Sequence, residues 1–122
     1  MILAVRIRRG IVVMSYDETL ALRVRKMVGR RRTIIEKKMF GGVGFLHRGN
    51  MCVGIWQDSL IVRVGPDQYR QALDEPMTKK FDITGREMTG WVVVVSEGLV
   101  DDDDLRAWID RATRFAESLP PK

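Results

Sequence analysis

The apolar positions of this chain change their spacing twice, from a helical repeat to short strand-like runs and then back to a helical repeat. The first repeat predicts a helix of about three turns that ends at Gly29, because glycine is common just past a helix end. Ser15 and Glu18 fit a capping box, in which each side chain bonds a free backbone N–H of the first turn. The apolar positions of this helix are Leu20, Val24, Met27 and Val28.

Between residues 34 and 64 the apolar runs are too short for helices, and turn signals separate them. These signals are Gly41-Gly42, Gly49-Asn50 and Gln57-Asp58-Ser59. Glycine and asparagine tolerate the positive φ that tight turns require. Strands joined by tight turns must pair antiparallel, so the pattern predicts a meander. The predicted strands are Ile34–Met39, Val43–Leu46, Met51–Trp56 and Leu60–Val64.

The rest of the chain predicts a short helix, one further strand and a last helix. Pro66 suits the first position of the short helix and Pro76 stops it. Phe81–Gly90 is predicted to be a loop, and the β-branched run Trp91–Val95 a buried strand. A last helix begins in Asp101–Asp104 and keeps its apolar residues on one face. The order α-β-β-β-β-α-β-α predicts an α+β fold, an antiparallel sheet of about five strands with three helices packed on it.

Size and composition indicate one soluble globular domain. The chain has 122 residues, of which 45% are hydrophobic and 30% charged, and this is ordinary for such a domain. No apolar stretch approaches the roughly 20 residues that cross a bilayer, so we expect no membrane partner. A single cysteine cannot form an internal disulfide, which favours the cytoplasm. We expect the domain at residues 14–119 and a short tail at 120–122.

Residues 1–13 form an N-terminal extension with a composition of its own. Arg6, Arg8 and Arg9 interrupt its apolar run, which is not the order of a secretory signal. Because a helix start follows Met14 directly, we expect these residues to be a misassigned start or a dispensable arm. An extra edge strand is the alternative, since apolar residues fall on odd positions. Without the three arginines, 18 basic residues face 16 acidic ones, and the net charge falls from +5 to +2.

Residue types suited to catalysis or metal binding occur where a structural role explains them. Asp101–Asp104 is expected to start a helix, since acids there complement the helix dipole. His47 has no nucleophile or orienting acid beside it and is expected to be a solvated turn residue. Cys52 is expected to be a small buried apolar residue. The glycines of residues 41–44 join strand to strand, which indicates close packing or a bulge rather than a phosphate loop. We therefore predict no catalytic residue, no cofactor and no metal site.

Seven residues remain as candidates for contact with a partner or an anion. Phosphate affinity needs clustered cations, and an aromatic ring beside them would add stacking, although charged helix faces are usually only solvated. Arg63 lies between Val62 and Val64 in a predicted strand, so its side chain points opposite to theirs. It either grips an anion or is a surface or ion-paired residue. The candidates are Lys37, Lys38, Phe40, Arg63, Arg23, Lys26 and Arg30.

Several ordered motifs resemble those of a known family. They are EKKMFGG at Glu36–Gly42, GNM at Gly49–Met51, D-x-L-x-x-R-V-G at Asp58–Gly65, and Phe81 followed by TGREMTGW at Thr84–Trp91. From Met14 onward the chain resembles the TfoX/Sxy N-terminal domain, named for bacterial regulators of natural competence. The resemblance covers nearly all of residues 14–119. It implies an α+β fold with an antiparallel sheet, in agreement with the predicted order of elements.

The functional implications of the resemblance are narrower. Competence regulators of this type promote transcription of DNA-uptake genes, together with the cyclic-AMP receptor protein, and have a second, helical domain that these 122 residues do not match. The family supplies no catalytic residues. We expect a non-enzymatic cytoplasmic module that regulates through contact with an unidentified protein. Direct nucleic-acid binding through the basic surface is the first alternative. The second is a binder of a small anionic ligand, or an enzyme, that uses a pocket of the sheet.

Overall fold

The computed structural model describes residues 16–29, 31–39, 41–82 and 85–122. Residues 1–13, Ser15, Arg30 and Phe40, on which some predictions rest, lie outside the described residues. None of the described helices is both long and apolar enough to cross a membrane. The described elements are α1 (Glu18–Val28), β1 (Ile34–Met39), β2 (Gly42–His47), β3 (Asn50–Trp56), β4 (Ser59–Arg63), α2 (Tyr69–Leu73), β5 (Thr78–Lys80), β6 (Trp91–Val94) and α3 (Asp102–Glu117).

The strands form one antiparallel sheet in the order β1-β2-β3-β4-β6-β5. The α+β class and the meander are confirmed, but the described sheet has six strands instead of about five. The additional strand, β5, has the sequence Thr78-Lys79-Lys80 and carries no apolar run. Its strand character depends on pairing with β6, where Thr78 opposes Val94. Thr78 Oγ1 also donates to the carbonyls of Ala72 and Glu75 at the end of α2. Sequence periodicity does not detect such a strand.

The two faces of the sheet differ in what covers them. Strand residues on one face pack against α1 and α3 in the hydrophobic core. Because side chains alternate along a strand, the intervening residues point the other way. We call this second surface the helix-free face, since none of the described helices packs on it. Its residues include Lys37 and Met39 of β1, Gly42 and Gly44 of β2, Met51, Gly54 and Trp56 of β3, Ile61 and Arg63 of β4, Lys79 of β5, and Trp91 and Val93 of β6.

Side-chain caps set the first residues of both long helices. Asp17, not Ser15, is the N-cap of α1, and its Oδ1 accepts from the Leu20 N–H at 3.1 Å. The predicted capping box is therefore wrong, because the helix begins at Glu18. Asp101 Oδ1 accepts from the Asp103 N–H at 2.8 Å at the start of α3. The acidic cluster is a helix start, as predicted.

His47 is the last residue of β2 and only 8% exposed. The expectation of a solvated turn residue is therefore wrong. The turn consists of Arg48 and Gly49, and the C-terminal residues lie across it: the Lys122 N–H donates to the Arg48 carbonyl at 2.9 Å, and Asn50 Nδ2 donates to the Pro120 carbonyl at 2.9 Å. His47 Nδ1 has no hydrogen-bond partner among the described residues. The C-terminal residues thus contact the turn that follows His47, a residue that the local sequence pattern predicts to be solvated.

Cys52 is buried at an irregular point of the sheet. Phe45 opposes Val53 and Leu46 opposes Met51, so Cys52 is the extra residue of a β-bulge. Its side chain is 1% exposed. Burial raises the pKa of the Cys52 thiol to about 11, against a smaller opposing effect of a hydrogen bond with the His47 backbone. The expectation of a buried apolar role is confirmed.

Two glycines of β2 have different structural requirements. A Cβ on Gly42 would overlap the backbone carbonyl oxygen of Ile55 on β3. A Cβ on Gly44 would meet Cε and Sδ of the flexible Met39 side chain at 3.2 and 3.3 Å. Gly42 therefore permits a close approach of two backbones, while Gly44 only leaves room for a movable side chain. Close packing was the predicted role of these glycines.

Arg23 joins α1 to the segment that leads into α3. Its Nη2 donates to the Leu99 carbonyl at 2.7 Å and to Asp102 Oδ1 at 2.8 Å. A hydrogen bond from a charged donor to a partly buried carbonyl is stronger than a neutral one. Arg23 thus fixes the start of α3 relative to α1.

The first prediction concerns Gly42 and uses Gly44 as its matched control. We expect Gly42→Ala to lower the free energy of unfolding by about 2–3 kcal/mol, because backbone has to move to admit the methyl group. Gly44→Ala should change it by less than about 1 kcal/mol, since only the end of the Met39 side chain has to shift. Denaturant unfolding of both variants measures the difference. Equal losses of stability would contradict the backbone contact at Gly42.

The second prediction compares Arg23 with Lys26, an exposed residue of the same helix. We expect Arg23→Ala to cost about 1–2 kcal/mol of unfolding free energy, because the Leu99 carbonyl and Asp102 lose their donor. Lys26→Ala should lie within about 0.5 kcal/mol of the wild type. Thermal or denaturant unfolding measures both values. A similar effect of the two variants would show that Arg23 makes no stabilising link.

The third prediction concerns Cys52. With a pKa of about 11, only about one thiol in a thousand is ionised at pH 8, and the thiolate is the reactive form. We expect a thiol-specific reagent to modify the folded protein at least about 100-fold more slowly than the protein unfolded in urea. A rapid reaction of the folded protein would mean that Cys52 is accessible and ionisable.

Candidate functional site

An open cleft of about 360 Å³ lies on the helix-free face. Gly54 and Ile61, which oppose each other on β3 and β4, contribute to its floor together with Gly42. Since glycine has no side chain, the backbone itself forms part of this floor. The cleft exists because glycines on neighbouring strands point toward the same face.

Methionines and aromatic residues form the walls of the cleft. Met39, Met51 and Trp56 line it from β1 and β3. The Met51 side chain leans over the floor, with its Cε 2.6 Å from the position that a Cβ of Gly54 would occupy. Methionine side chains are unbranched and polarisable, so such a wall adapts to the shape of an occupant.

The opposite wall comes from the segment between β5 and β6. The Met88 N–H donates to the Phe81 carbonyl at 3.3 Å, which brings the ends of this segment together. The rings of Phe81 and Trp91 have centroids 6.0 Å apart at an interplanar angle of 42°, a favourable tilted arrangement. Phe81, Met88 and Trp91 all line the cleft. The segment therefore turns a flat sheet face into a concave site.

The side chains that line the cleft are apolar or aromatic. The described residues of its lining provide no hydroxyl, thiol, imidazole or carboxylate that would attack a substrate or hold a metal ion. Across the residues that the structure describes, no group of three or more His, Cys, Asp or Glu side chains is arranged to bind a metal. The cleft is therefore a candidate binding site.

Arg63 stands beside the cleft, next to its Trp91 wall. The two residues oppose each other on β4 and β6. The guanidinium carbon of Arg63 lies 5.1 Å from the Trp91 ring centroid and 5.4 Å from that of Phe115. No ion pair or hydrogen bond joins the guanidinium to another residue within the described ranges. Arg63 is therefore held by two aromatic rings, that of Trp91 on β6 and that of Phe115 on α3.

Lys37 and Lys38 do not form one basic site. Lys37 opposes Gly44 and Lys38 opposes Val43, so the two side chains point to opposite faces of β1. Both are exposed. Only Lys37 shares the helix-free face with Arg63.

The predicted basic face of α1 is only partly present. Arg23 is bonded to Leu99 and Asp102, and Lys26 is exposed. Arg25 makes a two-pronged ion pair with Glu36 of β1, with both N–O distances at 2.7 Å. Hydrogen bonding to Arg25 lowers the pKa of the Glu36 carboxyl and raises that of Arg25. Arg30 and Phe40 lie outside the described residues.

Sequence reasoning named a pocket of the sheet as an alternative, but it did not identify the residues that form the cleft. Two glycines of neighbouring strands line it, Gly42 of β2 and Gly54 of β3, and Gly54 opposes Gly44, which lies two residues from Gly42 on the same face. Glycines at alternate positions of a strand are a signal for such a floor. Their cross-strand alignment depends on register, and the bulge at Cys52 alters the register within β3.

Comparison with known families gave one match to this chain. The TfoX N-terminal domain model matches residues 26–116, a range that contains all six described strands, the cleft and Arg63. Comparisons with curated proteins and with solved structures gave no match. The family match covers most of the chain and agrees with the motifs and the fold. The chain therefore belongs to the TfoX N-terminal domain family.

Proposed function

We propose that the chain is a non-enzymatic regulatory module that acts through contact between its helix-free face and a partner protein. The observation that carries this proposal is the apolar cleft, which lies on a face that none of the described helices covers. Methionine, tryptophan and arginine are enriched in protein interfaces, and Met39, Trp56, Trp91 and Arg63 occur together here.

The charges on this face favour a partner of defined chemistry. Lys37, Arg63 and Lys79 project from β1, β4 and β5 on the helix-free face, and none of the described strand residues on that face is acidic. Glu36, the acidic residue of β1, points to the other face and is paired with Arg25. Complementary charges guide association and fix its orientation. The partner is accordingly a protein with an apolar centre bordered by acidic side chains.

Family membership supports the regulatory part of the proposal. The family takes its name from regulators of competence, so we assign this module a role associated with transcription. That role is exercised through protein contact and not through chemistry, because the cleft presents apolar side chains to an occupant.

Direct nucleic-acid binding is less well supported by the arrangement of the cations. A phosphate-binding surface needs several cations on one side of the molecule. Lys37 and Lys38 point to opposite faces, and Arg23 is bonded internally. The predicted basic cluster is thus divided among separate surfaces.

The fourth prediction tests the contact surface by charge reversal. We expect the wild-type protein to capture a specific partner from its native cell, and Lys37→Glu combined with Lys79→Glu to lose it, because both lysines lie on the helix-free face. Arg106→Glu, an exposed site on α3, is the matched control and should capture the partner normally. With the purified partner, the double variant should bind at least about tenfold more weakly than the control.

Equal capture by the double variant and the control would place the contact elsewhere. The nucleic-acid alternative would be favoured if the wild-type protein retained DNA at low salt and if Arg106→Glu and the double variant both lost that DNA binding to the same extent. Turnover of a substrate by the purified protein would overturn the non-enzymatic proposal.

A further inference from the structure

The cleft has the size and lining of a small-molecule site. Its volume of about 360 Å³ falls within the range of about 300–1,000 Å³ that is typical of ligand pockets. Such pockets are mainly apolar and use few polar groups to orient a ligand. Floor and walls here supply the apolar part through Gly54, Ile61, Met51 and Trp56.

Arg63 supplies a charged group beside this cleft, next to its Trp91 wall. It shares the helix-free face with Ile61 of the same strand and with Trp91 of the neighbouring strand, both of which line the cleft. Its guanidinium lies within 5.5 Å of two ring centroids, at 5.1 Å from Trp91 and 5.4 Å from Phe115. A planar guanidinium held by aromatic rings keeps its N–H edge available for a bidentate acceptor.

We propose that the cleft binds a small amphipathic monocarboxylate, with its apolar body between the methionine and tryptophan walls and its carboxylate on Arg63. A carboxylate matches the two-pronged donor edge of one guanidinium. A phosphate monoester carries up to two negative charges and is usually bound by several donors, whereas Lys37 stands on β1, across β2 and β3 from Arg63. Of the three described strand cations on the helix-free face, Arg63 is the one that a cation–π contact joins to a cleft residue, Trp91, and a single cation at the wall favours a ligand with one negative charge.

This ligand site goes beyond the proposed protein contact and does not require it. The hollow occupies a small part of the helix-free face, whereas a standard interface buries about 800 Å² on each partner. A bound ligand would fill the hollow and become part of the surface offered to a protein. Only this regulatory consequence rests on the proposed function.

The fifth prediction uses decanoate, decanol and decylammonium as probes with the same apolar chain and different head groups. Trp56 and Trp91 line the cleft, while Trp108, a residue of α3, is buried and does not line it. Intrinsic fluorescence of the full chain should therefore report binding. We expect saturable binding in the order decanoate, decanol, decylammonium. Decanoate should bind at least about tenfold more tightly than decanol, since its carboxylate gains charged hydrogen bonds.

Variants separate the role of Arg63 from the net positive charge of the chain. Arg63→Gln should bring decanoate affinity to within about threefold of the decanol affinity of the same variant, and saturable decanol binding by that variant shows that the cleft is intact. Arg106→Gln removes one charge from the exposed side of α3 and should behave like the wild type. If Arg63→Gln does not fold, the order of the three probes on the wild type still decides the proposal.

Three results would overturn the inference. The first is the absence of saturable binding by both decanoate and decanol. The second is equal affinity of the wild type for the three probes. The third is a decanoate preference in Arg63→Gln as strong as in Arg106→Gln, which would trace it to overall charge. None of these results depends on capture of a partner through Lys37 and Lys79, so the ligand site and the protein contact can fail separately.

Discussion

The fold depends on the burial of one face of a single sheet against a single layer of helices. Val24 of α1 and Leu105 and Ile109 of α3 are at most 2% exposed, and they join the strand residues of that face in one core. A sheet with two apolar faces needs cover on both. Here the described helices lie on one face only. On the second face, the apolar area exposed to water must therefore be small or be covered by other side chains. Glycines in the middle strands limit it, and Met39, Met51 and the segment before β6 shelter what remains.

This arrangement explains why the cleft is a feature of the sheet and not a gap in the core. Gly42 allows the β2 backbone to approach Ile55 of β3 more closely than any side chain would permit. The same absence of side chains leaves a depression on the helix-free face. Met51 leans into it with a side chain that has several low-energy conformations. The floor is thus set by backbone contacts, which are rigid, and the walls by side chains, which adapt.

Local patterns predicted much of the fold, because most of its pairing is between strands adjacent in sequence. The bounds of β1 and the end of α1 at Gly29 follow from short-range rules of periodicity and capping. Sequence reasoning failed where distant contacts decide the outcome. His47 is buried beside a turn whose Arg48 carbonyl accepts from the Lys122 N–H, and β5 pairs with β6, with Thr78 opposite Val94. The direction of Arg63 followed from strand alternation, but its position between Trp91 and Phe115 required the tertiary structure.

The sheet also keeps two described side chains, Cys52 and His47, buried and out of the lining of the accessible cleft. Cys52 and His47 are the described side chains closest in type to a catalytic nucleophile and base, and they are 1% and 8% exposed. Burial raises the pKa of Cys52 to about 11 and so suppresses its thiolate. The cleft on the helix-free face instead offers thioethers, indoles and a phenyl ring, with the guanidinium of Arg63 beside them. These groups stabilise an occupant through dispersion, burial and charge, which are the interactions of recognition. The distribution of chemistry across the two faces therefore supports the proposal that this domain acts by binding.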